Sequence, residues 1–342
     1  MQQKKYILSG NATIFCPVIP YFGLLWYNID NSVSIPMDYP LGGKWGQVLS
    51  DNIPLVDTFP LPFCISSCWL SLFEERFFIC EKPLNQFILE DRYALLTQAD
   101  DSDVYFVMGF GANGLLALWL QNKKKCYLID CFQGEECFIP MSDFMPVQPD
   151  LTVHQLCELI KNDYSYNNSQ DNEVLKNKFI KMMRRYTYKY IVTFKIFNDK
   201  WYELPEGEIQ PNFCWINEAL FDGTFDKLHN DILFKYHNAA KPEKIAINWS
   251  IGKTEYLAYF WMDETQLNII FERFYGAHPE TKADFIIRID AENKKYELAL
   301  FRQGLKEPLI IPEAAYQLIV FKNNFEDYRS ENYNQPRGAW IW

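Results

Sequence analysis

The chain has 342 residues, of which 49% are hydrophobic and 17% aromatic, and it carries a net charge of −11. That composition supplies a large core and excludes a disordered chain. The acidic balance, with only the short basic runs "NKKKC" and "KMMRR" against it, excludes a surface built to hold nucleic-acid phosphates.

The first twenty residues, "MQQKKYILSGNATIFCPVIP", contain two lysines but no apolar run of signal-peptide length. Cys16 follows "TIF" rather than the small residues of a lipoprotein cleavage site. The expectation is a chain that is neither exported nor anchored, hence cytoplasmic, or periplasmic if a leader precedes Met1. No run of about 18 apolar residues is present, so no membrane span is expected. Residues 4–36 read as short strands broken by turn residues, with Pro17 and Pro20 marking edges or bulges. Residues 37–60, including "PLGGKWG", read as loop. "SCWLSLFEERFF" closes a strand pair over 61–82, and "NQFILEDRYALLTQ" has helical spacing over 85–98. After the polar turn "DDSD", three strands follow at 104–110, 114–121 and 126–134, joined by short turns as a meander.

Residues 150–185 change character. Thr152 and Gln155 form a capping-box signature before an apolar stripe of Leu156, Leu159 and Ile160. "DNEVLKNKFIKMMRR" is acidic at its start and basic at its end, as a helix dipole favours. This stretch reads as a helical connector. From Tyr186 the strand pattern returns in "YTYKYIVTFKIF". The spacing then predicts a largely helical segment over 215–238, a strand in "KIAINWSI", a helix over 264–276, and closing strands in "DFIIRID", "YELALFRQ" and "PLIIPEAAYQLIVF".

The halves read as a duplication. Trp69 matches Trp249 at an offset of 180 residues, a helix faces a helix, and "LALWLQN" matches "LALFRQG" at 182. The predicted fold class is mainly β or α+β: two tandem, related antiparallel β-sheet modules, sandwich-like, each with a helix. The predicted boundaries are 1–149 for the first module, 150–185 for the connector and 186–342 for the second.

Two stretches of the first half resemble a known family. "LPFCISSCWLSLFEERFF" ends in a tryptophan-x-serine-x-x-glutamate strand. "VYFVMGFGANGLLALWLQNKKKCYLIDCFQGEE" runs through Gly109, Gly111, Gly114 and Trp119 to Phe132, Gln133 and Gly134. Together with "NSVSIPMDYPLGGKWGQ" they resemble the domain-of-unknown-function family 2931, an uncharacterised bacterial family, over residues 1–140. Many members of that family look like lipoproteins, from which this chain departs. Some are encoded beside antibacterial effectors of type VI or contact-dependent secretion and are taken to be immunity proteins. The resemblance implies a partner, a cognate toxin or effector, and carries no catalytic residues with it. The second half keeps the layout but has "IDAENK" where the first has "GFGANG".

The remaining motifs are weak as chemistry. Nine irregularly spaced cysteines predict reduced, mostly buried thiols. His154 and Cys157 share a helix turn without a second ligand pair, so no metal is predicted. "GFGANG" has no lysine and leads into a strand, so it reads as a hairpin turn rather than a phosphate loop. No cofactor and no catalytic residue is predicted. Asp100, Asp101 and Asp103, with Glu135 and Glu136, form a candidate acidic partner-binding face, because charge complementarity speeds capture of a basic partner. Trp340 and Trp342 either dock into the core or anchor a partner. The reading is a non-enzymatic immunity protein that neutralises a toxin by binding it. The alternatives are a hydrolase-like enzyme with its site between the two modules, and an envelope-associated binding protein.

Overall fold

A computed structural model describes residues 4–12, 18–28, 30–34, 45, 57–97, 104–122, 124–163, 172–194, 196–197, 201–202, 211–228, 235–290 and 295–322. The protein is mainly β, with tandem two-sheet modules. The chain packs as two units, Met1–Lys181 with Asp222–Thr224, and Met182–Phe221 with Phe225–Trp342.

In the first unit, strands β1 (Lys4–Ala12), β2 (Val18–Asn28), β3 (Asn31–Ser34), β4 (Asp57–Phe59), β5 (Cys64–Ser71) and β6 (Arg76–Pro83) precede helix α1 (Gln86–Thr97). Then come β7 (Tyr105–Phe110), β8 (Leu115–Gln121), β9 (Cys126–Gln133) and β10 (Glu135–Cys137). One sheet has the order β10-β6-β5-β2-β3, and a second runs β9-β8-β7-β1-β4. Their facing side chains, among them Leu25, Ile65, Trp69, Phe78, Phe106, Phe110, Leu116 and Leu120, form one core with Leu89 and Leu96 of α1. β7 and β8 are buried on both faces, which is why "YFVMGF" and "LLALWLQ" read as continuous apolar runs instead of alternating. On the far face Trp119 meets Trp45 edge-on at 4.9 Å between ring centroids.

Helices α2 (Met141–Phe144), α3 (Val153–Asp163) and α4 (Asn172–Met183) follow. The sequence reading placed 150–185 as a connector. The structure sets Leu156, Cys157 and Ile160 of α3 directly against Ile19, Leu70, Leu72 and Phe77 of the first unit. Leu156 and Ile160 of the expected stripe dock there together with Cys157, while Leu159 is left 51% exposed. The box itself is formed: Gln155 N donates to Thr152 Oγ1 at 3.2 Å and Thr152 N to Gln155 Oε1 at 2.9 Å.

The second unit contains β11 (Tyr186–Phe194), a small ribbon of β12 (Ile196–Phe197) and β13 (Trp201–Tyr202), then β14 (Pro211–Leu220), β15 (Phe225–Leu228), β16 (His237–Ala239), β17 (Pro242–Ile251) and β18 (Thr254–Met262). Helix α5 (Glu264–Tyr275), β19 (Lys282–Ile289), β20 (Tyr296–Phe301), β21 (Leu309–Ile311) and β22 (Tyr316–Lys322) complete it. Asp263 caps α5 by accepting from Gln266 N at 2.9 Å. One sheet reads β15-β14-β17-β18-β22 and the other β16-β11-β19-β20-β21.

The five-stranded sheets of the two units therefore repeat one topology, with a helix crossing from the first sheet to the second; the β12–β13 ribbon has no counterpart among the described residues of the first unit. The sheets are rich in antiparallel pairs, as expected, and each unit also contains one parallel pair, β1 with β7 and β11 with β19. A helix between the paired edges makes such a crossover possible. The tryptophans that reveal the repeat occupy matching places. Trp69 stacks on Phe78 across β5–β6 at 5.9 Å, and Trp249 stacks on Tyr256 across β17–β18 at 5.5 Å.

The expected helix over 215–238 is not found in its described part: residues 215–220, 225–228 and 237–238 lie in β14, β15 and β16, residues 221–224 turn between the first two, and residues 229–234 lie outside the described set. Ile216, Glu218 and Leu220 point to one buried face, but a glutamate in the middle of that face hides the alternation. Gly223, at φ 86°, then turns the chain into β15.

Candidate functional site

The motif residues of the first half converge. The loop Leu72–Glu75 between β5 and β6 turns through Glu75 at φ 54°. The loop between β7 and β8 is a 3-10 turn over Ala112–Gly114, with Asn113 left-handed (φ 57°, ψ 41°) and Gly114 at φ 75°. Glu74 joins the two loops. Its Oε1 accepts from Asn113 N at 2.7 Å and its Oε2 from the Ser71 hydroxyl. Gln133 Nε2 donates to Asn113 O at 2.5 Å, and Gly134 N to Gly114 O at 2.8 Å. A Cβ on Gly134 would lie 2.8 Å from the Trp69 ring, so only glycine lets the two strands close here. The tryptophan-x-serine-x-x-glutamate motif, "GFGANG" and "FQG" thus form one hydrogen-bonded knot tying the two sheets. Burial raises the Glu74 carboxyl above its ordinary value, against the lowering effect of the Asn113 amide. Such a shift would suit a general acid, but both Glu74 oxygens are engaged.

A second cluster lies one residue on. Glu75 Oε2 is 2.8 Å from His154 Nδ1, and Glu75 Oε1 accepts from Lys161 Nζ at 2.8 Å. Lys161 also reaches Glu158 at 3.3 Å. The ligand atoms of Glu75, His154 and Glu158 lie within 4.8 Å of one another, a spacing a metal ion could use. The Lys161 ammonium already bridges the two carboxylates where a cation would sit, so the cluster reads as an ion-pair tether of α3. Partial burial pushes Glu75 up, but the hydrogen bonds from Lys161 and His154 outweigh it and hold the carboxyl below its ordinary value. A lowered carboxylate contributes stability above its ordinary value and loses it as pH falls through the folded value. Thermal unfolding from neutral pH down to about pH 3 is therefore expected to show an acid loss in wild type that is smaller in Glu75→Gln. Parallel curves would refute the tether.

In the second unit a polar group sits inside the sandwich. Tyr190 donates to Glu218 Oε2 at 2.7 Å, and Tyr188 to Ala240 O at 2.7 Å. His237 Nε2 lies 3.8 Å from Glu218 Oε1, and burial lowers its basicity. Glu218 is 5% exposed and Tyr190 fully buried, so this pair bridges the sheets inside the core, with the half-buried His237 beside it. Elsewhere in this unit, β20, β21 and β22 border a cleft of about 630 Å³ whose lining includes Tyr296, Tyr316, Ile311 and Leu318, with Glu297 and Glu313 beside them.

Glu135 and Glu136 are exposed on β10, with Glu136 2.8 Å from Arg76. Asp100, Asp101, Asp103, Trp340 and Trp342 lie outside the described residues. The cysteines among the described residues with a known environment carry free thiols. Burial pushes Cys68 and Cys157 up to about 12 and Cys80 to about 11. A thiol so far from ionisation is a poor nucleophile. A maleimide at pH 7.5 is therefore expected to label the half-buried Cys64, Cys131 and Cys137 first, and Cys68, Cys80 and Cys157 only on unfolding; early modification of the latter three would contradict it.

Ser71 and Glu74 are the serine and glutamate of the tryptophan-x-serine-x-x-glutamate motif and Asn113 lies within "GFGANG", whereas no motif marks Lys161. The three-residue spacing of Ser71 and Glu74 across a turn was the available signal for the knot; the tether of Glu75 by α3 has none, because its partners lie 79 and 86 residues away. Among the described residues no helix is long and apolar enough to cross a membrane. No protein-family model matches the chain, and no curated protein or solved structure does either, so the family likeness rests on the quoted motifs alone.

Proposed function

We propose that this protein acts by binding another protein, as an immunity protein that neutralises a cognate antibacterial toxin. The observation that carries this reading is the knot. The shared motif's polar side chains, Ser71, Glu74 and Gln133, are engaged in joining two loops, which is the work of a scaffold that presents a surface. The net charge of −11 favours a basic partner through long-range attraction. The test is co-expression of the tagged full chain with the product of the adjacent reading frame. A stoichiometric complex together with rescue of growth is the expected result; free protein without rescue would remove the reading.

A second reading, a ligand-binding or hydrolase-like role, is favoured by the cleft at Tyr296 and Tyr316, whose volume falls in the range of small-molecule sites. Filling it with Leu318→Trp would abolish such an activity and leave toxin neutralisation intact.

A further inference from the structure

Between Lys125 and Lys161 the chain has six acids, Asp130, Glu135, Glu136, Asp143, Asp150 and Glu158, and neither lysine nor arginine. All six are exposed. The middle of this stretch is a strap laid over the first unit. Its inward residues, including Cys137, Ile139, Met141, Phe144 and Met145, pack toward Leu70, Leu72 and Phe77, with Phe144 edge-on to Phe77 at 4.7 Å. Its backbone is held by turns: Phe144 N donates to Pro140 O at 3.0 Å, Met145 N to Met141 O at 2.7 Å and Gln148 N to Met145 O at 3.0 Å. Outward it presents Phe138 at 85% exposure and Val147 at 89%, along a stretch that also exposes Glu135, Asp143 and Asp150, and Glu136 paired with Arg76.

We infer that this strap is the docking face for the partner, a protein whose basic surface contains an apolar socket for Phe138. The inference rests on the toxin-neutralising reading and names its surface. A large aromatic with only two side-chain torsions loses little conformational entropy on binding and gains its full burial there, which is the character of an interface anchor. The surrounding carboxylates select a cationic face and repel nucleic acid and anionic lipid alike.

The test uses the full chain and the product of the adjacent reading frame, with binding measured by surface plasmon resonance at two salt concentrations. Phe138→Ala should weaken the complex roughly 30-fold or more. Glu135→Lys with Asp143→Lys should slow association on the order of tenfold at low salt. Glu280→Lys with Glu307→Lys, the same charge change on exposed residues of the second unit, should leave binding as it was. Unchanged thermal midpoints in all variants would show that folding is intact. Strap variants that bind like wild type would overturn the docking face and leave the toxin-neutralising reading standing. No complex with wild type would overturn that reading and this inference with it. A wild-type dimer in sedimentation that Phe138→Ala dissolves would assign the strap to a second copy instead and overturn the inference.

Discussion

Replacing Trp249 by alanine is expected to cost about 3–5 kcal/mol, and Trp69→Ala a similar amount. Both indoles are fully buried at the centre of their sandwiches. Each stacks on an aromatic of the neighbouring strand, and Trp69 also touches Phe110 at 5.1 Å while Trp249 meets Phe194 at 6.1 Å. Truncation removes those contacts and leaves a cavity that two rigid sheets cannot close. For units of this size the loss lowers the thermal midpoint by on the order of 10 °C. Hydrogen exchange should localise the damage: Trp69→Ala accelerates β5–β9, and Trp249→Ala accelerates β17–β20. A uniform, small effect in either variant would show that the repeated tryptophan is not the centre of its core.

Gly114→Ala is the second large effect, expected at about 3 kcal/mol. Gly114 sits at φ 75°, and a Cβ there would lie 2.7 Å from the Phe78 ring and 3.0 Å from Gly134 O. The left-handed backbone contributes about 1–2 kcal/mol against any L-residue, and the clash with a packed aromatic adds about 1–3 kcal/mol. The change should also release the Glu74–Asn113 hydrogen bond. Titration of Glu74, followed by NMR, should then return toward the ordinary carboxylate range as the group becomes solvated. Urea unfolding that shows a loss below about 1 kcal/mol would mean that the knot relaxes around the substitution and does not lock the sheets.

Much of the architecture was legible residue by residue. Strands β7, β8 and β9 fall where apolar runs end at "GAN" and "NKKK", and α1 and α5 where apolar spacing turns helical. Trp69 and Trp249 announced the repeat because a cross-strand aromatic pair at a core centre constrains its neighbours. The segment over 215–238 failed for an equally local reason. Glu218 interrupts the apolar face of β14, and its partner Tyr190 lies 28 residues earlier on the opposite sheet, beyond any window of periodicity. The parallel pairs were invisible too, because a strand's direction is set by its crossover and not by its own side chains.

The amino-acid order carries the strand alternation, the capping box at Thr152, the doubled layout and the acidic balance, since each depends on neighbours a few residues apart, on the match of one short run with another, or on a simple count. The knot of Ser71, Glu74, Asn113 and Gln133, the tether of Glu75 by His154 and Lys161, and the outward stance of Phe138 arise only when distant segments meet. Residues 39, 79 and 86 positions apart share hydrogen bonds there. Whether a carboxylate is solvated, strapped to a lysine or closed into a turn is set by what packs beside it, and packing between distant segments leaves no periodic trace along the chain.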